Sequence, residues 1–280
     1  MNDQNPVISS QDLFDDSQME GILSPSSATV LSDLSNRIDK SMQHLSVTPT
    51  ITTQTLVAML LDNSPSMNYC ANPGVQNAQS NYQSVVAGHN LVIESLKGAK
   101  AVNSIEALTQ LLNPEARYIN AVTGGDKDFK WLPLSAAHNL IEDEYIQGWS
   151  TPLYDRSLEL LGSVIARTKW WEDEYGVQTT SRCLILSDGE NTDGRYSASD
   201  VKQVVEDMLA MEKHRIFFLG VRGPDSSVDF HDIATQMGIP HDSVGVVPSD
   251  PKAIRAWFQL FSQSATADVS DPVNVSNVNF

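Results

Sequence analysis

The sequence predicts an α/β protein with a doubly wound sheet covered by helices on both faces. From Thr55 onward, short apolar runs alternate with amphipathic stretches, the pattern of strands followed by helices. Several of the runs are apolar at nearly every position, as strands buried on both faces of a parallel sheet must be. At 280 residues the chain also has the length for one domain of about 200 residues with appendages.

Taken in order, residues 1–27 are rich in Ser, Asp, Gln and Pro and are expected to be a flexible acidic tail, since they bury too little surface to offset the entropy of ordering. In 28–51, Leu31, Leu34, Ile38, Met42 and Leu45 recur at three- and four-residue steps, which predicts one amphipathic helix, followed by a linker, docked on the main domain. The main domain is expected over 52–265. Its strand candidates are 56–61, 182–186, 215–221 and 243–247, while 105–112 fits the period of either a strand or a helix.

Helical stripes fall between the strands. Val85, His89, Val92 and Leu96 share one face, and Tyr154, Leu158, Leu161, Ile165 and Thr168 another. Val201, Val204, Val205 and Met208 form a third, Phe230, Ile233, Ala234 and Met237 a fourth, and Ile254, Trp257, Phe258 and Phe261 the last. All read as core. Residues 266–280 are expected to be a C-terminal tail.

The formal charge of −17 argues against nucleic acid or an anionic membrane surface as partner, because polyanions repel a surface of that sign. The first residues show no basic segment followed by an apolar run, and the strongly apolar run 56–61 is too short to span a bilayer. Cys70 and Cys183, in a polar loop and an apolar run, do not make a disulfide framework. The expectation is a cytoplasmic protein.

In doubly wound sheets ligands gather at the carboxyl ends of the strands. The run 56–61 leads into Asp62-Asn63-Ser64-Pro65-Ser66, which places a carboxylate and two hydroxyls at that edge. Oxygen-only donors suit a hard cation such as magnesium, although Asp and Ser capping the next helix explain the pattern equally well by themselves. A second carboxylate follows the run 182–186, in Ser187-Asp188-Gly189-Glu190. Between them, Gly148-Trp149-Ser150-Thr151-Pro152-Leu153-Tyr154-Asp155 leads into the long central helix. Pro152 suits its first position and Thr151 its cap, and a capping hydroxyl keeps a lone pair for a metal.

These three pieces, Asp62-x-Ser64-x-Ser66, Thr151 to Asp155 and Leu186 to Glu190, agree in order and separation with the von Willebrand factor type A (VWA) domain and its metal-ion-dependent adhesion site, which the chain resembles over roughly 52–265. The resemblance implies a mostly parallel sheet with one short antiparallel edge strand, drawn from the 105–132 region. It implies a metal set of Asp62, Ser64, Ser66, Thr151 and Asp188, in which the three hydroxyls ligate directly and the two carboxylates act largely through water. The implied cofactor is Mg2+, with Mn2+ or Ca2+ as substitutes.

Such an ion retains Lewis acidity and attracts an outside carboxylate, so the expected partner is a protein presenting an Asp or Glu. Asn63, Asn68, Tyr69, Trp149, Glu190 and Asn191 are candidates for the partner-binding rim. Family members without a secretion signal resemble components of intracellular assemblies, including partners of AAA+ ATPases. One departure from the family is the polar segment 68–83, after which the first helix is expected to start late.

Three other readings compete. A hydrolase using Asp62 as nucleophile lacks a second acid two residues on, and the chain has no Gly-x-Ser-x-Gly elbow, phosphate loop or His-Glu-x-x-His helix, so no enzymatic activity is expected. A calcium loop over 188–194 fails in register, because aligning Gly194 with the loop's glycine puts Gly189 at the first acidic ligand. A metal-free scaffolding subunit working through its helical faces is the main alternative.

Overall fold

β1 (Thr53–Leu61), β2 (Ile105–Leu111), β3 (Leu132–Pro133), β4 (Gln178–Ser187), β5 (His214–Arg222) and β6 (Val244–Pro248) form one sheet in the spatial order β3-β2-β1-β4-β5-β6. All pairings are parallel except β2 with β3. The computed structural model describes residues 9–42, 51–76, 78–113, 130–141, 148–224 and 226–266. Strand order reverses between β1 and β4, so the loops leaving these neighbours diverge and open a crevice at their carboxyl ends.

The ambiguous segment 105–112 is therefore a strand, β2. A tertiary partner decided it: 105–111 pairs in parallel with Thr55 to Leu61 of β1, and the buried Glu106 carboxylate takes a bidentate ion pair from Arg167 at 2.8 and 2.7 Å and the Trp171 indole N–H at 3.0 Å, contacts that periodicity cannot show. The antiparallel edge strand is the two-residue β3, paired through Leu132 and Pro133 with Ala107 and Glu106. Proline is tolerated there because an edge position needs no ladder donor.

β1 shows why both faces are apolar. Leu56, Ala58 and Leu60 pack in the core shared with α5 (Leu153–Tyr175), α6 (Ala198–Ala210) and α7 (Phe230–Gln236). Val57, Met59 and Leu61 pack in the opposite core with α4 (Asn81–Lys97) and α8 (Pro251–Thr266). As the polar segment implied, α4 starts late: a short 3-10 turn, Pro65–Asn68, and a loop precede it. Ser80 and Gln83 form its capping box. Cys70 and Cys183 are both free thiols.

The N-terminal region departs from expectation. In place of a flexible tail, residues 10–19 form α1 (Ser10–Met19), capped by Ser9, with Leu13 and Phe14 fully buried. The single helix expected through Leu31 and Leu45 is two helices, α2 (Pro25–Asp33) and α3 (Ser35–Ser41), that meet at Leu34. Composition weighs only what a segment can bury within itself, whereas α1–α3 bury their few apolar residues against α5. Polar ties add to this. Ser24 donates to Asp207 through its N–H and hydroxyl at 2.8 and 2.9 Å, and Lys169 pairs with Glu20 at 2.9 Å. Gly162 of α5 lies directly under Ile38 and Leu31, where a Cβ would collide with both side chains. These two helices, α2 and α3, pack on α5; Leu45 lies outside the described residues, as does the expected tail 266–280 except Thr266, which closes α8.

Candidate metal centre

At the crevice, β1 delivers Asp62 and the loop after it delivers Ser64 and Ser66, while β4 delivers Ser187 and Asp188. The Ser64 and Ser66 hydroxyl oxygens lie 2.9 Å apart. Both donate to Asp188 Oδ1, Ser66 at 2.7 Å and Ser64 at 3.3 Å. Asp62 sits behind them, fully buried. Its Oδ1 accepts the Ser64 N–H at 2.8 Å, and its Oδ2 accepts the Ser187 hydroxyl at 2.7 Å and the Asp188 N–H at 3.3 Å. Four of the five predicted residues are thus within one hydrogen-bonded cluster.

Thr151 arrives by a different route. Its backbone is locked to the loop after β4, its N–H donating to Thr192 Oγ1 at 2.9 Å and its carbonyl accepting the Thr192 N–H at 3.1 Å. The capping role read from the sequence is corrected: Pro152, not Thr151, is the N-cap of α5, and no side-chain capping bond comes from either. Asn191 Oδ1 serves that helix end from outside, accepting the Tyr154 N–H at 3.3 Å. Among the described residues no hydrogen bond joins the Thr151 hydroxyl to Asp62, Ser64, Ser66 or Asp188, so that buried hydroxyl is not consumed by capping or by the cluster.

Two rim assignments change. Asn63 is fully buried and holds neighbouring loops together: its side-chain amide donates to the Asn113 carbonyl at 3.1 Å, its Oδ1 accepts the Asn113 N–H at 2.8 Å, and its own carbonyl accepts the Gly148 N–H at 2.7 Å. A side chain between two metal-loop residues points inward because successive residues leaving a strand alternate direction. Asn191 is half-buried and acts as the helix anchor just described. Asn68, Tyr69, Trp149 and Glu190 are exposed.

Asn113 and Thr192 are not singled out by the sequence, and Ser187 and Asp155 stand in its motifs without a role of their own. Asn113 follows β2 closely, so the strand-end rule finds it once 105–112 is known to be a strand. Asp155 accepts the N–H groups of Arg195 and Tyr196, each at 2.9 Å to Oδ1. Gly194, at φ +126°, lets that loop pass so close that a Cβ would strike the Asp155 carboxylate.

The electrostatics of the cluster bear on a cation. Burial raises the Asp62 carboxyl above its ordinary range, despite its hydrogen bonds from Ser64 and Ser187. Burial, followed by the charge of Asp62, pushes Asp188 up to about 7. Only hydroxyls and backbone N–H groups compensate these carboxylates, with no Lys or Arg among the groups that hold them. An all-oxygen set of neutral hydroxyls with two uncompensated carboxylates fits a hard divalent ion.

No family model matches this chain in sequence, and no curated protein does. Solved structures do match. The pilus adhesin SpaC from Lactobacillus rhamnosus GG, in its open conformation, superposes with a TM-score of 0.50 at 11% identity, over 78% of this chain and 30% of that one. The PilB minor pilin from Streptococcus sanguinis superposes with a TM-score of 0.50 at 12% identity, over 82% of this chain and 66% of that one. The chain thus spans less than two thirds of either, and at these identities the likeness is one of fold. The strand order, the lone antiparallel edge strand and the loops meeting at the β1–β4 crevice complete the pattern. The fold is von Willebrand factor A-like. The SpRpn10 VWA domain is covered over its full length by 81% of this chain, with 11% identity and a TM-score of 0.42. In the VWA-like fold of this chain, the predicted metal residues occupy the loops after β1 and β4 and the turn before α5.

Proposed function

We propose that this chain is a protein-interaction module that recognises a partner's carboxylate through a divalent cation, Mg2+ by preference with Mn2+ as substitute, held at the carboxyl ends of β1 and β4. The observation that carries the reading is the convergence of the Ser64 and Ser66 hydroxyls on Asp188 Oδ1, with Asp62 buried behind them. Ser64, Ser66 and Thr151 would offer hydroxyl oxygens to the ion. Asp62 has both oxygens engaged by Ser64, Ser187 and Asp188, so its part is to fix the loop and supply negative charge from behind. A cation there supplies a Lewis-acidic position that an Asp or Glu of a partner completes.

The same engagement of Asp62 supports binding over catalysis, since a buried carboxylate with both oxygens taken is a poor nucleophile. The partner in this reading is a protein of a cytoplasmic multiprotein assembly, a AAA+ ATPase among the candidates. The net charge of −17 disfavours nucleic acid, and no described helix is long and apolar enough to cross a membrane.

A metal-free scaffold is the second reading, favoured by the way Ser66 and Asp188 satisfy each other at 2.7 Å. Calorimetric titration with Mg2+ and Mn2+ decides between them. The proposal expects saturable uptake of one ion by the full chain, abolished by Ser64→Ala with Ser66→Ala. Absence of uptake at millimolar metal sinks it and leaves the scaffold.

A further inference from the structure

Trp149 is 96% exposed, yet the backbone on either side of it is fixed. Gly148 donates its N–H to the Asn63 carbonyl at 2.7 Å, and Asn63 stands between Asp62 and Ser64 of the metal loop. On the other side, the Ser150 carbonyl accepts from the Asn113 side-chain amide at 2.5 Å, and Thr151 is bonded to Thr192. Gly148 is required at its place because a Cβ would run into the Asn113 side chain.

We infer that Trp149 forms an apolar subsite beside the metal centre, and that the segment it recognises carries an aromatic residue next to the carboxylate that completes the metal's shell. This rests on the reading of the preceding subsection and specifies its partner. A large ring held out on a pinned backbone loses little conformational freedom on binding, which is the property that makes tryptophan a dominant contact in interfaces. Aromatic pairs contribute beyond the area they bury. The exposed acids Glu190 and Asp193 lie on the loop after β4 that Thr192 ties to Thr151, and they disfavour a second acidic residue in the ligand.

Four capped tetrapeptides titrated by NMR into the full chain in millimolar Mg2+ test this: acetyl-Ala-Asp-Phe-Ala-amide and its counterparts with Asp-Ala, Asn-Phe and Asp-Lys at the centre. The Asp-Phe peptide should bind roughly three- to tenfold tighter than the Asp-Ala peptide. Trp149→Ala should erase that preference while leaving Mg2+ affinity unchanged. Equal affinity of the two in the unmodified chain, a preference that survives Trp149→Ala, an Asp-Lys peptide that outbinds Asp-Phe, or no binding by any peptide overturns the inference. If Asp-Phe and Asn-Phe bind alike, without regard to chelator but dependent on Trp149, the aromatic subsite stands and the carboxylate-and-cation reading fails. If both Asp peptides bind equally and only with metal, that reading stands and the subsite fails.

Discussion

Ser187, the last residue of β4, donates its hydroxyl to Asp62 Oδ2 at 2.7 Å and so ties the two central strands together where the metal loop begins. The bond lies wholly within the protein, since both side chains are fully buried. Ser187→Ala should therefore leave Asp62 Oδ2 with only a 3.3 Å backbone donor, costing about 1–3 kcal/mol of stability and weakening Mg2+ binding. Urea denaturation with and without Mg2+ measures both. A variant as stable as the unmodified chain would show that the bond does not hold the site.

Magnesium should stabilise the fold by mass action, by about 2.7 kcal/mol at a hundredfold excess over Kd. Thermal melts across a Mg2+ series should show a rising midpoint for the unmodified chain. For Ser64→Ala with Ser66→Ala the midpoint should be flat.

Asn113→Ala should be damaging although Asn113 touches no predicted ligand. It removes donations to the Ser150 carbonyl and the 3.4 Å contact with Asn63 Oδ1, and it leaves a space beneath Gly148. A loss of about 1–3 kcal/mol in stability is expected, along with weaker metal uptake, read by denaturation and calorimetry.

Burial in the core makes the N-terminal helices part of the folded unit. Phe14→Ala should cost about 3–5 kcal/mol, the range for a fully buried phenylalanine, and should speed proteolysis around α1. An unchanged denaturation midpoint would mean that α1 is not docked in solution.

Two buried imidazoles contribute an acid destabilisation, opposed in the same range by Asp62 and Asp188, whose raised carboxyls take up protons first in the folded state. Burial holds His89 down at about 4 and His214 at about 3, the latter aided by the charges of Lys213 and Arg182. Because these values lie below the unfolded value near 6.5, the unfolded chain takes up the protons first. Stability from these groups is intact above pH ~6.5 and falls as pH drops toward the folded values. Between pH ~6 and ~4.5 the pair should cost about 3 kcal/mol. His89→Gln should remove close to half of that slope in denaturation profiles taken across the range.

Much of this was legible in the chain itself. The four strongly apolar runs became β1, β4, β5 and β6, because a strand buried on both faces needs apolar residues at successive positions. Asp62, Ser64, Ser66 and Asp188 were legible because strand-end chemistry is local in sequence and the fold brings strand ends together. The helical stripe of α8 was read correctly for the same kind of reason, since 3.6-residue periodicity records which side faces the core.

Other features were settled only by tertiary contact. Whether 105–112 was strand or helix depended on the ladder with β1, over which Arg167 and Trp171 reach Glu106 from α5. Whether 10–19 ordered depended on a surface more than a hundred residues away. Asn63 could be placed at the rim or in the interior until Asn113 and Gly148 closed around it. The sequence by itself determined the pattern of the sheet and the chemistry at its carboxyl edge, because periodicity and residue type act over a few residues. Tertiary structure alone decided which polar side chains are clamps and which face outward, because a hydrogen-bond partner distant in sequence leaves no trace in local composition.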